Sequence, residues 1–136
     1  MQLQPVEVRS ETELEDAFAA MARERVGGVL VLGAVFTYVH RAHLAALALQ
    51  HRLPSMFNWW EGAEAGGLMS YGPDIMDLTR RAVIFYIDKI LKGATPADLP
   101  VEQASTYALV INLKTAQALG ITIPPVLLFQ ATEVIQ

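Results

Sequence analysis

Short apolar runs alternate with helix-sized segments along this chain, a pattern that predicts an α/β fold: a doubly wound layer of parallel strands with helices packed on it. Three observations carry the prediction. Val29–Leu32 is an uninterrupted apolar run bounded by glycines, the mark of a strand buried on both faces of a parallel sheet. The helix-sized segments between such runs are apolar along one stripe or nearly all round. Hydrophobic residues make up 53% of the 136 positions, enough to bury one sizeable core, so residues 1–136 read as a single domain.

The elements follow in order. Val6–Val8 is a short extended run, and Ser10 with Glu13 makes a capping box from which a helix is expected to start. Leu14, Ala17, Phe18 and Met21 fall on one stripe, with Glu15, Asp16 and Arg23 away from it, and Gly27-Gly28 are expected to stop that helix. After the strand at 29–32, residues 39–52 form an Ala/Leu-rich helix and Pro54–Phe57 the next strand. Leu68–Tyr71 is a further strand, ended by Gly72-Pro73. Asp74 then caps a long helix to about Lys92, with Asp77 in the first turn, Lys89 and Lys92 in the last, and Gly93 past its end. Ala82 to Ile87 are consecutive apolar residues, so this helix has a broad apolar face.

A Pro-punctuated linker over 94–103 leads to a strand at Tyr107–Ile111. Asn112 caps a short helix that ends at Gly120, and Pro125 opens a last helix through Val134.

Composition excludes several function classes. A net charge of -4, with Lys and Arg scattered singly or in pairs, is not the footprint of a nucleic-acid or anionic-membrane surface. With no cysteine, there are no disulfides, cysteine nucleophiles or thiolate metal sites. The start MQLQPVEVRS has no basic segment leading into an apolar run, so no export signal is read in it, and no stretch reaches the length of a membrane span. His40, His43 and His51 lie on broadly one side of a helix, but His51 is roughly 12 Å beyond His43 at the helical rise, too far to share an ion. A solvated helix face is the expectation, with no metal and no cofactor. Ser70 lacks a nucleophile-elbow pattern, and no phosphate-binding loop is present.

Four motifs carry a family resemblance. They are Gly-Gly-Leu-Met-Ser-Tyr-Gly-Pro at 66–73, Asp-Lys-Ile-Leu-Lys-Gly at 88–93, Pro-Ala-Asp-Leu-Pro-Val-Glu-Gln at 96–103 and Leu-Val-Ile-Asn-Leu-Lys-Thr-Ala at 109–116. In order and spacing they resemble the C-terminal part of the substrate-binding proteins of ABC importers, periplasmic-binding-protein-like receptors of the tryptophan-binding type. The resemblance implies a type I periplasmic-binding-protein-like lobe, with a crossover segment at about 72–95 that belongs to the other lobe. It implies a small-molecule ligand such as an amino acid, a membrane permease as partner of the whole protein, and a periplasmic or cell-surface location, or a cytoplasmic one if Met1 is the natural start. Without its own lobe, the helix over 74–92 has an unpartnered apolar face, so a homodimer through it is expected.

In open α/β sheets the ligand edge is the carboxyl edge of the strands. That rule nominates Gly33–Thr37 and Asn58–Glu61, and the candidate ligand-binding residues are Phe36, Thr37, Asn58, Trp59, Glu61, Tyr71 and Asp74. Trp59 and Trp60, with Phe36 and Tyr71, form a candidate aromatic wall for a ring-bearing ligand. Asp74 is suited to a ligand ammonium, although capping is its stronger role. Glu61 and Glu64 have no nucleophile or cofactor fingerprint beside them, so no catalytic residue is assigned. Gly33-Ala34-Val35 departs from the polar or acidic residue many relatives carry after this strand, which points to a smaller or more apolar ligand, or to a lobe that has stopped binding. A non-transport sensory or interaction module of the same fold is the main rival reading, and an enzyme of flavodoxin-like architecture a distant one.

Overall fold

The computed structural model describes residues 2–101 and 103–136; Met1 and Glu102, the latter part of the expected linker, lie outside the described residues. Five strands form one sheet in sequence order: β1 (Val29–Val31), β2 (Ser55–Phe57), β3 (Met69–Pro73), β4 (Tyr107–Asn112) and β5 (Glu133–Ile135). β1, β2 and β3 are parallel, β4 is antiparallel to β3, and β5 is parallel to β4. The fold is therefore α/β with a mostly parallel sheet, and the antiparallel step corrects the all-parallel expectation. Its cause lies in the connection. The chain leaves β3 into the long helix and returns at the same edge, where Tyr107 pairs with Pro73, so β4 must run back along β3. The same pairing keeps Gly72 and Pro73 inside β3, where the sequence suggested an end.

α1 (Glu11–Arg23) starts at Ser10, whose Oγ accepts from the Glu13 N–H at 3.2 Å. The Glu13 carboxylate accepts from the N–H of Arg9 at 2.7 Å, one residue earlier than a capping box requires. The helix ends before the glycines expected to stop it, with Arg25 taking the left-handed conformation (φ 55°). α2 (Val35–Val39) and α3 (Arg41–Gln50) divide the second helical segment at His40. Leu14 and Phe18 of α1, Leu44, Ala45, Leu47 and Ala48 of α3, with Val31, Leu53 and Phe57, make the first core. The three histidines are half-buried and partnered: His40 Nδ1 is 3.2 Å from Glu11, His43 Nε2 is 3.9 Å from Glu15, and the His51 ring stacks on Phe18.

A second core lies on the other face of the sheet, where Met69, Leu109 and Ile111 meet Ala116 of α7 (Leu113–Leu119) and Leu127 and Leu128 of α8 (Pro125–Gln130). The Asn112 side chain joins the two halves. Its Oδ1 accepts from the Thr115 N–H at 3.1 Å, capping α7, and its Nδ2 donates to the carbonyl of Ala63 in α4 (Glu61–Glu64) at 3.0 Å. Thr115 Oγ1 donates to the Gly66 carbonyl at 2.8 Å, so the Asn-Leu-Lys-Thr corner is a clasp on the loop before β3. α7 ends at left-handed Gly120 as expected, whereas α8 stops at Gln130 and gives way to β5, correcting the helix read through Val134.

The long helix comprises α5 (Ile75–Ala82), a π-helical segment (Val83–Ile87) and α6 (Asp88–Leu91), and none of its residues is buried. The Tyr86 hydroxyl donates to the Pro100 carbonyl at 2.6 Å, tying the returning linker along one side. β1 departs from expectation in the same way: Val31 is buried but Leu30 is exposed, because β1 is the end strand of the sheet and only one of its faces is covered.

Candidate functional site

The carboxyl ends of β1, β2 and β3 share one edge, and the antiparallel β4 brings its first residue, Tyr107, to the same place. Asn58, immediately after β2, sits where these ends converge. Its side-chain amide lies against Gly33, where a Cβ would meet Nδ2 at 2.9 Å, and its carbonyl oxygen lies against Gly72, where a Cβ would meet it at 2.0 Å. At Gly72 the Asn58 backbone approaches too closely for any side chain, whereas at Gly33 the neighbour is the movable end of the Asn58 side chain. The Asn58 amide is exposed at this junction, a neutral donor and acceptor in one group.

The loop after β1 is held by Thr37. Its hydroxyl donates to the Leu32 carbonyl at 2.8 Å and accepts from the Ala34 N–H at 3.0 Å, so Thr37 shapes the loop rather than offering a free hydroxyl. Phe36 turns towards the first core, its ring 4.4 Å from that of His40. Trp59 packs there too, edge-on to Phe57 at 5.6 Å and 6.0 Å from the Tyr38 ring, with its buried Nε1–H lacking an acceptor among the described residues. Trp60, its neighbour, is exposed.

Glu61 lies to the flank. Its carboxylate accepts from the Tyr38 hydroxyl at 3.0 Å, and Arg41 stands over the Tyr38 ring at 4.7 Å while donating to the Tyr38 carbonyl at 2.9 Å. The hydrogen bond to Glu61, then the charge of that carboxylate and partial desolvation, raise the Tyr38 phenol above its ordinary value, with Arg41 opposing. Glu61 and Glu64 face Val39, Arg41, Ala42 and Ala65 across an open groove beside α3.

On the opposite sheet face, in phase with Met69, Tyr71 stacks on Tyr107 at 5.6 Å with 22° between the rings, both half exposed. The four rings expected as one wall therefore divide: Phe36 and Trp59 border the first core, Trp60 is exposed beyond them, and Tyr71 has a different partner. Tyr107 escaped the sequence reading. Its signal was an aromatic residue at the first position of the returning strand, and it could be placed beside Tyr71 only with the antiparallel register in hand.

Asp74 caps α5, its Oδ1 accepting from the Asp77 N–H at 2.9 Å while its own N–H donates to the Thr106 carbonyl at 3.0 Å. The Asp77 carboxylate accepts from the Thr106 hydroxyl at 3.1 Å and pairs with Arg81 at 3.2 Å. This Asp77–Thr106–Arg81 group fixes the two chain crossings, β3 to α5 and linker to β4, against each other.

The sheet edge thus gathers an exposed amide, a helix start and half-exposed rings. The profile of the ABC transporter substrate binding protein family matches residues 1–135. The chain belongs to this family. It is a family of binding proteins rather than of enzymes. Among solved structures, a conserved domain protein from Vibrio cholerae is similar at 28% identity and a TM-score of 0.78, over 90% of this chain and 41% of that one. An ABC domain from Streptococcus pneumoniae, in complex with L-Trp, is similar at 34% identity and a TM-score of 0.80, over 94% of this chain and 43% of that one. The ligand-free, open form of a substrate binding protein with adhesive properties from Clostridium difficile shares the fold, with a TM-score of 0.71 and 17% identity over 95% of this chain and 42% of that one. The chain thus spans about two fifths of the length of these structures. No curated protein matches it. Among the described residues, no helix is long and apolar enough to cross a membrane.

Proposed function

We propose that the chain is the C-terminal lobe, with the crossover segment at about 72–95, of the solute-binding component of an ABC importer. It takes a small organic ligand such as an amino acid at the carboxyl ends of β1–β3, without catalysis, and the whole protein hands that ligand to a membrane permease from outside the cytoplasm. The convergence of Asn58, Gly33 and Gly72 at one strand edge, beside the start of α5, carries this reading. The L-Trp complex of the Streptococcus pneumoniae structure supports an amino-acid ligand. Asn58 is the polar contact of the site. Tyr71 and Asp74 stand at the crossover, where the opposing lobe closes over the ligand, and Phe36, Thr37, Trp59 and Glu61 support the loops around it. Binding favours the closed arrangement of two lobes and so acts by shifting a population.

The test is a titration with aromatic and aliphatic amino acids and small organic acids, read by the emission of Trp59 and Trp60, with calorimetry for ligands that themselves fluoresce. A saturable response that Asn58→Ala weakens is the expected result. No response to any member of the panel would remove the ligand-binding reading for this chain. As a separate chain it is expected to associate as a homodimer through the exposed face of α5–α6, and a monomeric mass in light scattering at micromolar concentration would exclude that.

A further inference from the structure

We propose that Asp77, Thr106 and Arg81 form a clasp with two settings where the chain crosses between lobes. In one setting Asp77 accepts from Thr106; in the other it pairs squarely with Arg81, and the exchange tilts the α5–α6 helix against the sheet. The proposal rests on the one-lobe reading above, in which that helix belongs to the opposing lobe. None of the three residues is assigned to the ligand. They are positioning residues that set the angle at which the lobes meet.

The ladder between β3 and β4 ends at Pro73 and Tyr107. One further rung follows, from the Asp74 N–H to the Thr106 carbonyl at 3.0 Å. A main-chain rung fixes where the two crossings meet but leaves the helix free to swing about it. The Thr106 hydroxyl removes that freedom by donating to Asp77 Oδ2 at 3.1 Å, one turn into the helix. Thr106 is thus bonded to both Asp74 and Asp77, and two attachments along one helical turn define a direction. Packing adds little to it, because no residue of α5, the π-helical segment or α6 is buried. The Tyr86–Pro100 bond joins two parts of the same excursion and does not hold it to the sheet.

The second setting follows from a competition for Asp77. Arg81 Nε lies 3.2 Å from the same Oδ2, one helical turn further on. That contact is out of line, since Arg81 Nε and Nη2 are both buried and neither has a hydrogen-bond acceptor among the described residues. A buried guanidinium N–H without an acceptor is costly, and an aligned bond to a carboxylate is among the strong ones. Asp77 therefore serves Thr106 at the expense of Arg81. Turning the carboxylate to Arg81 satisfies those donors and releases the Thr106 hydroxyl to water, for Thr106 is exposed. Each setting gives up one bond and gains another, which keeps the two close in free energy. A ligand that favours one lobe angle then draws the clasp into one setting.

The chain contains no cysteine, so Leu91→Cys in α6 and Lys114→Cys in α7, both at exposed positions, give it two spin-labelling sites and no others. The distance between the labels is read without ligand in the 136-residue chain, diluted with unlabelled chain so that only distances within one molecule count. It is read again in the full-length natural protein, with any further cysteine replaced by serine. Thr106→Val keeps the shape and loses the hydroxyl, and should raise the population of the second distance about tenfold, the effect of one hydrogen bond to a charged group. Thr106→Ser should restore the wild-type distribution, and Arg81→Gln, which removes the competitor, should narrow it. Thr106 is exposed, so its variants should melt with the wild type. An unchanged distribution in Thr106→Val overturns the clasp, and broadening by Arg81→Gln overturns the competition between its settings. A response in the isolated chain that is lost in the full-length protein would assign the angle to contacts of the opposing lobe and overturn the positioning role. A failed ligand titration would sink the binding reading while leaving these ligand-free distances untouched, so the two can fail separately.

Discussion

Two helices of this chain are rich in large apolar residues, and their fates differ. α3 buries Leu44, Ala45, Leu47 and Ala48, although no side chain caps either of its ends. The α5–α6 helix buries nothing, yet its ends are specified in detail: Asp74 caps it, the Lys92 ammonium lies 2.8 Å from Asp88 near its end, and Gly93 leaves it with φ +98°. One is held by what it packs against and the other by its own termini. The α5–α6 helix is locally well specified and apolar along a face that nothing covers among the described residues, and Leu30 of β1 is likewise exposed at the end of the sheet.

The contrast makes its largest prediction for single truncations. Leu44→Ala empties a fully packed site and should cost about 2–5 kcal/mol in urea unfolding. Ile84→Lys, at a position 65% exposed, should change the stability of the chain by no more than about 0.5 kcal/mol while shifting the light-scattering mass towards monomer. If Ile84→Lys destabilised as much as Leu44→Ala, the helix face would be buried within the chain and the comparison would collapse.

A smaller effect sharpens the other half. Asp74→Ala removes the hydrogen bond to the Asp77 N–H and should cost about 1 kcal/mol, confined to the first turns of α5. Amide exchange should accelerate over residues 75–79 and stay unchanged in α3, which has no side-chain cap to lose. Uniform acceleration throughout the protein would mean that α5 is coupled to the core and is not held locally.

The parts of this fold that could be read from sequence are those set by short-range chemistry. Ser10, Asp74, Asn112 and Gly120 mark helix ends because a cap or a left-handed turn depends on a few adjacent residues. What could not be read depends on contacts remote in the chain. The alternation of strands and helices does not encode whether β4 runs with or against β3, so Tyr107 could not be placed beside Tyr71. Of the candidate site, the strand-end positions were legible, but not the orientation of their side chains. Phe36 and Trp59 turn to the core and Thr37 spends its hydroxyl on its own loop. Gly33 and Gly72 read as punctuation until Asn58 is seen against both. The uncovered faces were legible only in part: the broad apolar helix was recognised, whereas Val29–Leu32 looked like a fully buried strand because apolar composition cannot distinguish a covered face from one awaiting cover.

The smallest effect concerns the polar tie at the start of α3. Tyr38 donates to Glu61 only while its phenol is protonated, and that bond with the carboxylate's charge holds the phenol above its ordinary value of 10.0 against the opposing pull of Arg41. The folded chain therefore favours the neutral phenol more than the unfolded chain does. The resulting stabilisation is fully present below the unfolded value and is lost as pH rises through the raised folded value. Tyr38→Phe lacks it at every pH. The wild type should be slightly more stable than Tyr38→Phe at neutral pH, and the gap should close only on the alkaline side of 10.0, in melts taken in closely spaced alkaline buffers. A gap that stayed constant through that range would show that the ring packing against Trp59 and Arg41, and not the hydrogen bond to Glu61, anchors this end of α3. Packing would then hold both ends of that helix, and its contrast with the capped α5 would be complete.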